Sequence, residues 1–306
     1  MSASDIILNT AIAAVNNNDH LRVYTQDTKG GIRESLYEGK WQNGNGGNTI
    51  VTAKPNSPIA ATSKELNEIR VYTLSTDNVL TETAYSANRG WYTGDLGTKK
   101  FVVAPHSKIA ATFLATGSSL QLRVYAQLPD NTIQEYGYDS PSSGWVKQTN
   151  LGIAVAGSSI ATTSFNFSSI SIRTYIQTPT LSLAEHAYDS PKGWYTGALN
   201  AAAPPLATIA ATSFPLSASK IALRVYHTAA DKTLVERAYD GDGWYAGAFV
   251  QRTVEESRAA VVAWGGGGGT QLRVYLQNGT QGTAVSEWVW SGAWVKGAVA
   301  LPPAAQ

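Results

Sequence analysis

Leu122 to Tyr136 reads L-R-V-Y-A-Q-L-P-D-N-T-I-Q-E-Y, two short stretches rich in β-branched and aromatic residues joined by P-D-N at residues 129–131. Pro, Asp and Asn favour a tight reversal of the chain, so this segment predicts a β-hairpin. The hairpin carries Arg123 on its first strand and Glu135 on its second. Because neighbouring strands bring cross-strand side chains within reach of each other, we expect this charged pair to converge.

An Arg, a Glu and a Trp recur six times in this order, at a period near fifty residues. The arginines are Arg22, Arg70, Arg123, Arg173, Arg224 and Arg273. The glutamates are Glu34, Glu82, Glu135, Glu185, Glu236 and Glu287. The tryptophans are Trp41, Trp91, Trp145, Trp194, Trp244 and Trp294. A period of this size indicates repeated supersecondary units. Packing alone does not require two charges and a Trp in every unit, so the pattern predicts the same site six times.

Each repeat predicts four short antiparallel strands, of which the first is small and apolar, as in I-A-A-T at residues 109–112. Six such units are typical of a β-propeller. We therefore predict an all-β fold, a six-bladed β-propeller with four antiparallel strands per blade, as a single domain over residues 1–306. The predicted repeats span residues 9–50, 51–102, 103–153, 154–203, 204–252 and 253–306. An open array of sheets or a two-sheet sandwich is the alternative. Residues 2–8 are predicted to add a strand that helps the ring to close.

The composition argues against several classes of protein. The net charge is +1 and 15% of the residues are charged, so nothing indicates nucleic acid or an acidic membrane as a partner. The chain has no Cys, and its four His are scattered over different repeats, which argues against thiol chemistry and a metal site. We predict no cofactor and no membrane insertion. Residues 1–15 lack the features of a signal peptide, which predicts a cytoplasmic protein, or one released or displayed at the cell surface by a route without a signal.

The three repeated residues form a set that suits a sugar. The guanidinium fork donates to neighbouring hydroxyls, the carboxylate accepts from them, and the Trp offers an apolar face and one N–H donor. This set needs no metal. The alternative is a buried Arg–Glu ion pair that only locks adjacent blades, although such pairs are weak evidence for stability.

Two other functions compete with sugar binding. A glycosidase places two carboxylates around one bond, whereas one Glu recurs here, and Asp139, Asp189 and Asp240 lie in turns and are interpreted as turn residues. We therefore predict that the protein is not an enzyme. A protein-interaction scaffold is the second competitor, because many functions share one fold. A scaffold would vary its groove chemistry between blades, and this chain repeats it.

The chain resembles the fungal fucose-binding lectins of the Aleuria aurantia lectin type over nearly its whole length. The resemblance is carried by I-A-A-T, by L-R-V-Y, by I-Q-E-Y at 133–136 and by G-W-Y, together with I-R-E-S-L-Y-E-G at 32–39 and A-V-S-E-W-V-W at 284–290. It implies a six-bladed propeller that binds α-L-fucose without calcium, in grooves between adjacent blades. It also implies fucosylated oligosaccharides and glycoproteins as partners, multivalent binding, and a homodimer.

The resemblance implies that Arg and Glu come from one blade and Trp from the next. The implied ligand-binding sets are Arg22, Glu34 and Trp91; Arg70, Glu82 and Trp145; Arg123, Glu135 and Trp194; Arg173, Glu185 and Trp244; Arg224, Glu236 and Trp294; and Arg273, Glu287 and Trp41. The methyl group of fucose is expected against the first-strand Ile or the Tyr that follows Gly-Trp.

The sixth repeat departs most from the others. Its Arg-to-Glu spacing is fourteen residues where the other repeats have twelve, and Gly265 to Gly269 form a glycine run. We therefore predict that the ring-closing pocket of Arg273, Glu287 and Trp41 binds fucose with a different affinity or not at all. The extra tryptophans, which we expect in the core or at a dimer surface, are Trp264, Trp288 and Trp290.

Overall fold

The structure is a computed structural model that describes residues 5–44, 46–114, 119–141, 144–280 and 282–303. Six antiparallel sheets follow one another along the chain, and in each the strands are ordered in space as they are in sequence. The first blade consists of β1 (Ala13–Asn17), β2 (His20–Gln26), β3 (Gly31–Tyr37), β4 (Trp41–Asn43) and an additional β5 (Thr49–Thr52) that pairs with β3. The second blade consists of β6 (Ala60–Lys64), β7 (Glu68–Leu74), β8 (Leu80–Ser86) and β9 (Gly90–Thr93).

The remaining blades have four strands each. The third blade consists of β10 (Ile109–Phe113), β11 (Gln121–Gln127), β12 (Thr132–Asp139) and β13 (Val146–Ile153). The fourth consists of β14 (Ala161–Asn166), β15 (Ile170–Gln177), β16 (Ser182–Asp189) and β17 (Gly193–Ala202). The fifth consists of β18 (Ile209–Pro215), β19 (Ile221–Thr228), β20 (Thr233–Tyr239) and β21 (Trp244–Arg252). The sixth consists of β22 (Ala259–Trp264), β23 (Gln271–Leu276), β24 (Ser286–Trp290) and β25 (Trp294–Lys296).

The first strands of the blades form a closed ring, which confirms the predicted six-bladed propeller. Each first strand contacts the first strand of the next blade, and β22 of the last blade contacts β1 of the first. Alanines such as Ala60, Ala110 and Ala210 are buried in these strands, where neighbouring sheets approach each other. Small side chains are suited to this crowded position because a close-packed interior has no room for larger ones.

Each four-stranded sheet lies within one of the predicted repeats, and only β5 crosses a predicted boundary, at residue 50. Short 3-10 turns occur at Gly46–Asn48, Leu96–Lys99 and Gly267–Gly269. Within the described ranges, no helix has the length and apolar character that crossing a membrane requires.

Buried glutamines join neighbouring blades. The Nε2 atom of Gln127 in the third blade donates to the backbone oxygen of Val155, 3.0 Å away, on the approach to the fourth blade. Gln26 donates in the same way to Lys54, at 2.8 Å, and Gln177 to Pro204, at 2.8 Å. These bonds satisfy polar groups that are buried between blades.

The N-terminal segment closes the ring through side-chain bonds. Gln277 of the last blade donates to the backbone oxygen of Ile7 at 3.0 Å and accepts from the backbone nitrogen of Asn9 at 2.7 Å. Ile6 forms a single β-bridge with Asp27. The predicted additional strand over residues 2–8 is therefore wrong for residues 5–8, while residues 2–4 lie outside the described part of the chain.

Candidate functional site

The structure brings the repeated Arg, Glu and Trp together at the interfaces between blades. We number the six pockets after the blade that supplies Arg and Glu, so that pocket 1 contains Arg22 and pocket 6 contains Arg273. Pockets 2, 4 and 5 enclose cavities of about 140, 430 and 450 Å³, each lined by the Arg and Glu of one blade and the Trp of the next. The pairing of each Trp with the preceding blade is therefore observed directly in these three pockets.

The Arg and Glu of a pocket face each other across one hairpin. In pockets 2 to 6 the Arg Nε lies 3.7, 3.5, 3.6, 3.0 and 3.6 Å from the Glu Oε1. Pocket 1 differs, because Arg22 Nη1 forms its ion pair with Glu38, at 2.7 Å. Among the described residues, Arg22 and Glu34 form no ion pair within 4.0 Å.

A buried Tyr holds each Glu, and this residue was missed as a site component. In L-R-V-Y the Tyr follows the Arg by two residues, so both side chains lie on one face of the strand. The Tyr hydroxyl donates to the Glu Oε1 in all six pockets, at distances between 2.9 and 3.4 Å. The tyrosines are Tyr24, Tyr72, Tyr125, Tyr175, Tyr226 and Tyr275. A Tyr follows every one of the six arginines by two residues, including Arg173, where Thr174 replaces the Val between them, so this recurrence was visible in the sequence.

The second carboxylate oxygen accepts from the backbone. Ala198 N–H donates to Oε2 of Glu185 at 2.8 Å, Phe249 N–H to that of Glu236 at 3.1 Å, and Ala298 N–H to that of Glu287 at 3.0 Å. These donors lie one or two residues after a Gly whose absent side chain leaves room for the carboxylate. A Cβ added at Gly247 would lie 2.4 Å from the carboxyl carbon of Glu236.

Burial raises the pKa of Glu34, Glu82, Glu135 and Glu236, while the Arg and Tyr partners counteract part of that shift. Burial, together with the nearby carboxylate, also raises the pKa of all six tyrosines well above 10.0. The Tyr therefore remains protonated and donates to the Glu at any ordinary pH. Protonation of these four glutamates begins at a higher pH than for an exposed Glu.

A second acid orients the outer end of most of the arginines. Asp139, Asp189 and Asp240 pair with Nη1 of Arg123, Arg173 and Arg224, at 2.8, 3.0 and 2.8 Å. The interpretation of these aspartates as turn residues alone is therefore wrong. They sit sixteen residues after their Arg, at a spacing that Glu38 also has from Arg22.

Arg273 of pocket 6 has a different neighbour. It has an ion pair with Glu287 but no second carboxylate within 4.0 Å among the described residues. Its guanidinium carbon instead lies 4.8 Å from the centroid of the Trp264 ring. The guanidinium carbons of Arg173 and Arg224 lie 5.2 and 5.1 Å from the rings of Phe165 and Phe214.

Two aromatic rings from the next blade form one wall of each pocket. The Trp meets the buried Tyr of the preceding blade edge-on, with centroids between 5.9 and 6.3 Å apart in all six pockets. A second ring from the same blade lies against the Trp, for example Tyr239 against Trp244 at 5.6 Å. In pocket 5 that second ring is Trp290, which lies 5.6 Å from Trp294 and lines the cavity.

The additional tryptophans thus have different roles. Trp264 packs against the core cluster that contains Val262, and Trp290 against the one that contains Phe214, as expected. In addition, Trp290 lines pocket 5 and Trp264 lies over Arg273, which the sequence did not predict. Trp288 packs against the core cluster that contains Phe249, as expected. The first-strand isoleucines line a separate cavity on the ring axis, and none of them lines pockets 2, 4 or 5. The Tyr after Gly-Trp does line these pockets, as Tyr92, Tyr195 and Tyr245.

The pocket floor divides the six pockets into two groups. The residue paired with the Arg across the hairpin is Ala84, Ala187 or Ala238 in pockets 2, 4 and 5, where it lines the cavity. The corresponding residues of pockets 1, 3 and 6 are Leu36, Gly137 and Val289. In pockets 2, 4 and 5 a Tyr of the fourth strand pairs with this Ala. The residues at the position of this Tyr in pockets 1, 3 and 6 are Gln42, Val146 and Val295.

Pocket 3 has a further departure. Gln148 occupies the position that is Gly94, Gly197 and Gly247 in pockets 2, 4 and 5. Its side chain covers Gly137, because a Cβ added there would lie 2.7 Å from Gln148 Nε2. The large Gln148 side chain thus occupies the space beside the small Gly137, and its amide group takes the place of the Ala methyl group on the pocket floor.

The alternative that the Arg–Glu pairs lock adjacent blades does not fit this geometry. In pockets 2 to 6 both members of the pair belong to one blade. Contacts between blades come from the glutamines described above and from the Trp. In pockets 2, 4 and 5 the charged pair lines an open cavity and is not covered by the neighbouring blade. Such an arrangement suits a polar ligand.

The chain matches the family model described as fungal fucose-specific lectin over residues 6–304. A fucose-specific lectin of Aspergillus fumigatus is 49% identical over 312 residues, which cover 99% of this chain and 98% of that protein. The fucose-specific lectin of Aleuria aurantia is 31% identical over 292 residues, which cover 91% of this chain and 90% of that protein.

Solved structures agree with these matches. The SapL1 lectin in complex with alpha methyl fucoside superposes with a TM-score of 0.92 at 42% identity, covering 99% of this chain and 100% of that one. The six-bladed β-propeller of Aleuria aurantia lectin superposes with a TM-score of 0.82 at 28% identity, covering 96% of both chains. The fold and the pockets define a propeller lectin. The chain belongs to the fungal fucose-specific lectin family, which is a family of lectins and not of enzymes.

Proposed function

We propose that this fucose lectin binds the sugar in the six pockets between its blades, without calcium, and so recognises fucosylated oligosaccharides and glycoproteins multivalently. The observation that carries the proposal is the recurrence of one polar arrangement: a Glu held by a Tyr and facing an Arg, with a Trp from the next blade. The relatives support the identity of the sugar, since the SapL1 lectin was solved with alpha methyl fucoside.

The groups of a pocket have separate tasks in this proposal. The Arg donates from its guanidinium and the Glu accepts, so that they bind adjacent hydroxyls of one sugar. The Tyr and the backbone N–H hold the carboxylate in place before the sugar arrives, which lowers the entropy cost of binding. The Trp and Tyr rings offer apolar faces to the C–H groups and methyl group of fucose.

Calcium independence rests on the charge balance of the pockets. Each glutamate of pockets 2 to 6 already faces an Arg, so a cation would compete with a fixed positive charge there. The described residues contain no group of three or more acids and histidines that could hold a metal ion.

Six pockets on one rigid ring favour surfaces that display many fucose residues. A single sugar makes few contacts, so we expect each pocket to bind in the micromolar to millimolar range. Simultaneous engagement raises the apparent affinity by factors of about 10² to 10⁴ where the geometry permits it. We therefore expect the protein to cross-link fucosylated glycans and to agglutinate cells that carry them.

The proposal includes a homodimer, which the family resemblance implies. Val250 and Val295, on the fourth strands of adjacent blades, are 57% and 52% exposed and offer apolar surface for such a contact. Light scattering coupled to size-exclusion chromatography measures the mass directly. The predicted location, cytoplasmic or released without a signal peptide, stays a prediction that fractionation of the source cells would check.

Calorimetric titration with methyl-α-L-fucoside tests the function, with galactose and mannose as controls and EDTA in a parallel series. We expect binding that is selective for fucose, unchanged by EDTA, with a stoichiometry above three per chain. An absence of heat with any sugar, in protein shown to be folded, would leave the propeller as a protein-interaction scaffold. Release of fucose from an aryl fucoside would instead identify an enzyme.

A further inference from the structure

A second kind of cavity lies on the axis of the ring. It has a volume of about 420 Å³ and is lined by first-strand isoleucines such as Ile109 and Ile209 and by the residues that precede them. It contains none of the Arg, Glu and Trp residues of the six pockets. The sugar-binding function therefore leaves this cavity unassigned.

Two cationic side chains line this cavity. Lys108 directly precedes β10 of the third blade, and Arg258 directly precedes β22 of the sixth. The third and sixth blades are three steps apart in a ring of six, so the two residues stand on opposite sides of the axis. The other four residues at this position are uncharged, namely Ala11, Pro58, Ser159 and Thr208.

Neither cation is neutralised by a direct contact. In the described ranges, the side chains of Lys108 and Arg258 have no hydrogen bond and no carboxylate oxygen within 4.0 Å. Both side chains are partly buried. Among the described residues, Glu256 is the single acid that lines the cavity, and it is exposed. Every pocket Arg, in contrast, has an acid partner.

This burial without a direct counter-charge lowers the pKa of both groups. Burial, followed by the charges of Arg258 and Lys54, lowers the pKa of Lys108 to about 8, and Glu256 only partly opposes this shift. Burial lowers the pKa of Arg258, again partly opposed by Glu256. Lys54 itself is satisfied by Asn78 and by the backbone oxygen of Pro105. Unpaired charges on partly buried side chains are unfavourable until a counter-charge binds.

We propose that Lys108 and Arg258 together bind a small oxyanion such as sulfate or phosphate in the axial cavity. The guanidinium fork donates to two oxygens of such an anion, and the ammonium group contributes a point charge from the other side. The hydroxyl of Ser159, which also lines the cavity, supplies a neutral donor. Two cations favour an anion with two charges over chloride or acetate.

Sulfate is the appropriate first probe, because its charge is constant over the pH range in which Lys108 titrates. Calorimetry near neutral pH should show one sulfate per chain, with chloride and acetate binding at least tenfold more weakly. Lys108→Met and Arg258→Met should each weaken sulfate binding by at least about tenfold, the value of one charge-assisted hydrogen bond. Lys232→Met is the matched control, because it removes an exposed cation that is paired with Glu255 away from the axis.

Fucose binding provides an independent check in the same samples. Neither Lys108 nor Arg258 lines pocket 2, 4 or 5, so both variants should retain the fucose stoichiometry of the unchanged protein. If the protein bound sulfate but no fucose, the axial anion site would be supported and the fucose proposal would be wrong.

Thermal unfolding gives a second readout that does not depend on calorimetric heat. Without sulfate, Lys108→Met should unfold at or above the temperature of the unchanged protein, because it removes an unneutralised charge. At one sulfate concentration, the unchanged protein and Lys232→Met should gain more stability than Lys108→Met and Arg258→Met, since a ligand stabilises the state that binds it by an amount that increases with its affinity.

The pH dependence follows from the ionisation of Lys108. Sulfate binding should weaken as the pH rises through about 8, because the ammonium group then loses its charge. In Lys108→Arg, which keeps the charge, this decline should be absent. The proposal is overturned if the unchanged protein binds no sulfate at millimolar concentration, or if Lys108→Met binds it as well as the unchanged protein does.

Discussion

The indole Nε1 of Trp41 donates a hydrogen bond to Oε2 of Glu287, 3.1 Å away, across the seam where the first and last blades meet. The two residues are 246 positions apart in the chain. One bond thus links the closure of the ring to the carboxylate of a pocket. A pocket in this lectin is a property of two blades, and each blade contributes to two pockets.

We predict that the number of fucose sites lost in double variants shows which two blades form each pocket. Arg173→Ala combined with Trp244→Leu should remove one fucose site, because both residues line pocket 4. Arg173→Ala combined with Trp194→Leu should remove two sites, since Trp194 lies against Tyr125 in pocket 3. The stoichiometry with methyl-α-L-fucoside, from calorimetry, distinguishes the two results. Equal losses in both double variants would contradict the assignment of each Trp to the preceding blade.

A methyl group at Gly247 should close pocket 5. The added Cβ would lie 2.4 Å from the carboxyl carbon of Glu236, so the carboxylate must leave its backbone donors. We expect Gly247→Ala to lose one fucose site and about 1–3 kcal/mol of unfolding free energy, the usual cost of overpacking. Gly97→Ala is the control, because its Cβ would be 3.9 Å from the nearest atom. Chemical denaturation and calorimetry measure the two effects, and similar results for both variants would refute the steric argument.

The floor residue should set the affinity of a pocket. Leu36 in pocket 1 occupies the position of Ala84 in pocket 2, so it fills space that pocket 2 leaves open. We expect Ala84→Leu to weaken fucose binding in pocket 2 by about tenfold or more, since one or a few methylene groups change binding by about 1–3 kcal/mol. Leu36→Ala should strengthen pocket 1.

Crystals soaked at graded fucoside concentrations would report the occupancy of each pocket separately. Full occupancy of pocket 2 in Ala84→Leu at the lowest concentration would contradict the role of the floor. The same data test the prediction for the ring-closing pocket of Arg273, which shares an altered floor with pockets 1 and 3.

Fucose binding should weaken in mild acid. The ionised Glu accepts from the sugar, and burial raises the pKa of Glu82, Glu135 and Glu236 above the ordinary 4.5. As the pH falls through these raised values, the fraction of ionised carboxylate decreases, and the affinity falls with it. Calorimetry at a series of pH values, with circular dichroism as a check on folding, measures this. Affinity that stays constant to below 4.5 in folded protein would show that the carboxylates are not the acceptors.

Several parts of the site were accessible to sequence reasoning because they repeat. The recurring Arg and Glu indicated a hairpin with a charged pair, and the structure places that pair face to face in pockets 2 to 6. Pocket 1 shows the limit of this reasoning, since Arg22 turns to Glu38. A repeat predicts equivalent backbone positions, and the nearest acid then decides where the guanidinium points.

Other site residues were missed because their role depends on what lies across the strands. Asp189 looked like a turn residue, but it is the last residue of β16 and its carboxylate reaches Arg173 at 3.0 Å. Trp290 looked like an unrelated aromatic residue, yet it takes the position that Tyr239 has in the preceding blade and lines pocket 5. Aligning the repeats by strand register would have revealed both.

The sequence by itself determined the number of blades, the strand order within each blade and the chemical character of the pockets, because these follow from local patterns repeated along the chain. The family resemblance implied which Trp serves which Glu, and only the tertiary structure decided which pockets have open floors and that Lys108 and Arg258 share one cavity. Those relationships join residues of different blades. They depend on the closure of the ring, which no single repeat contains.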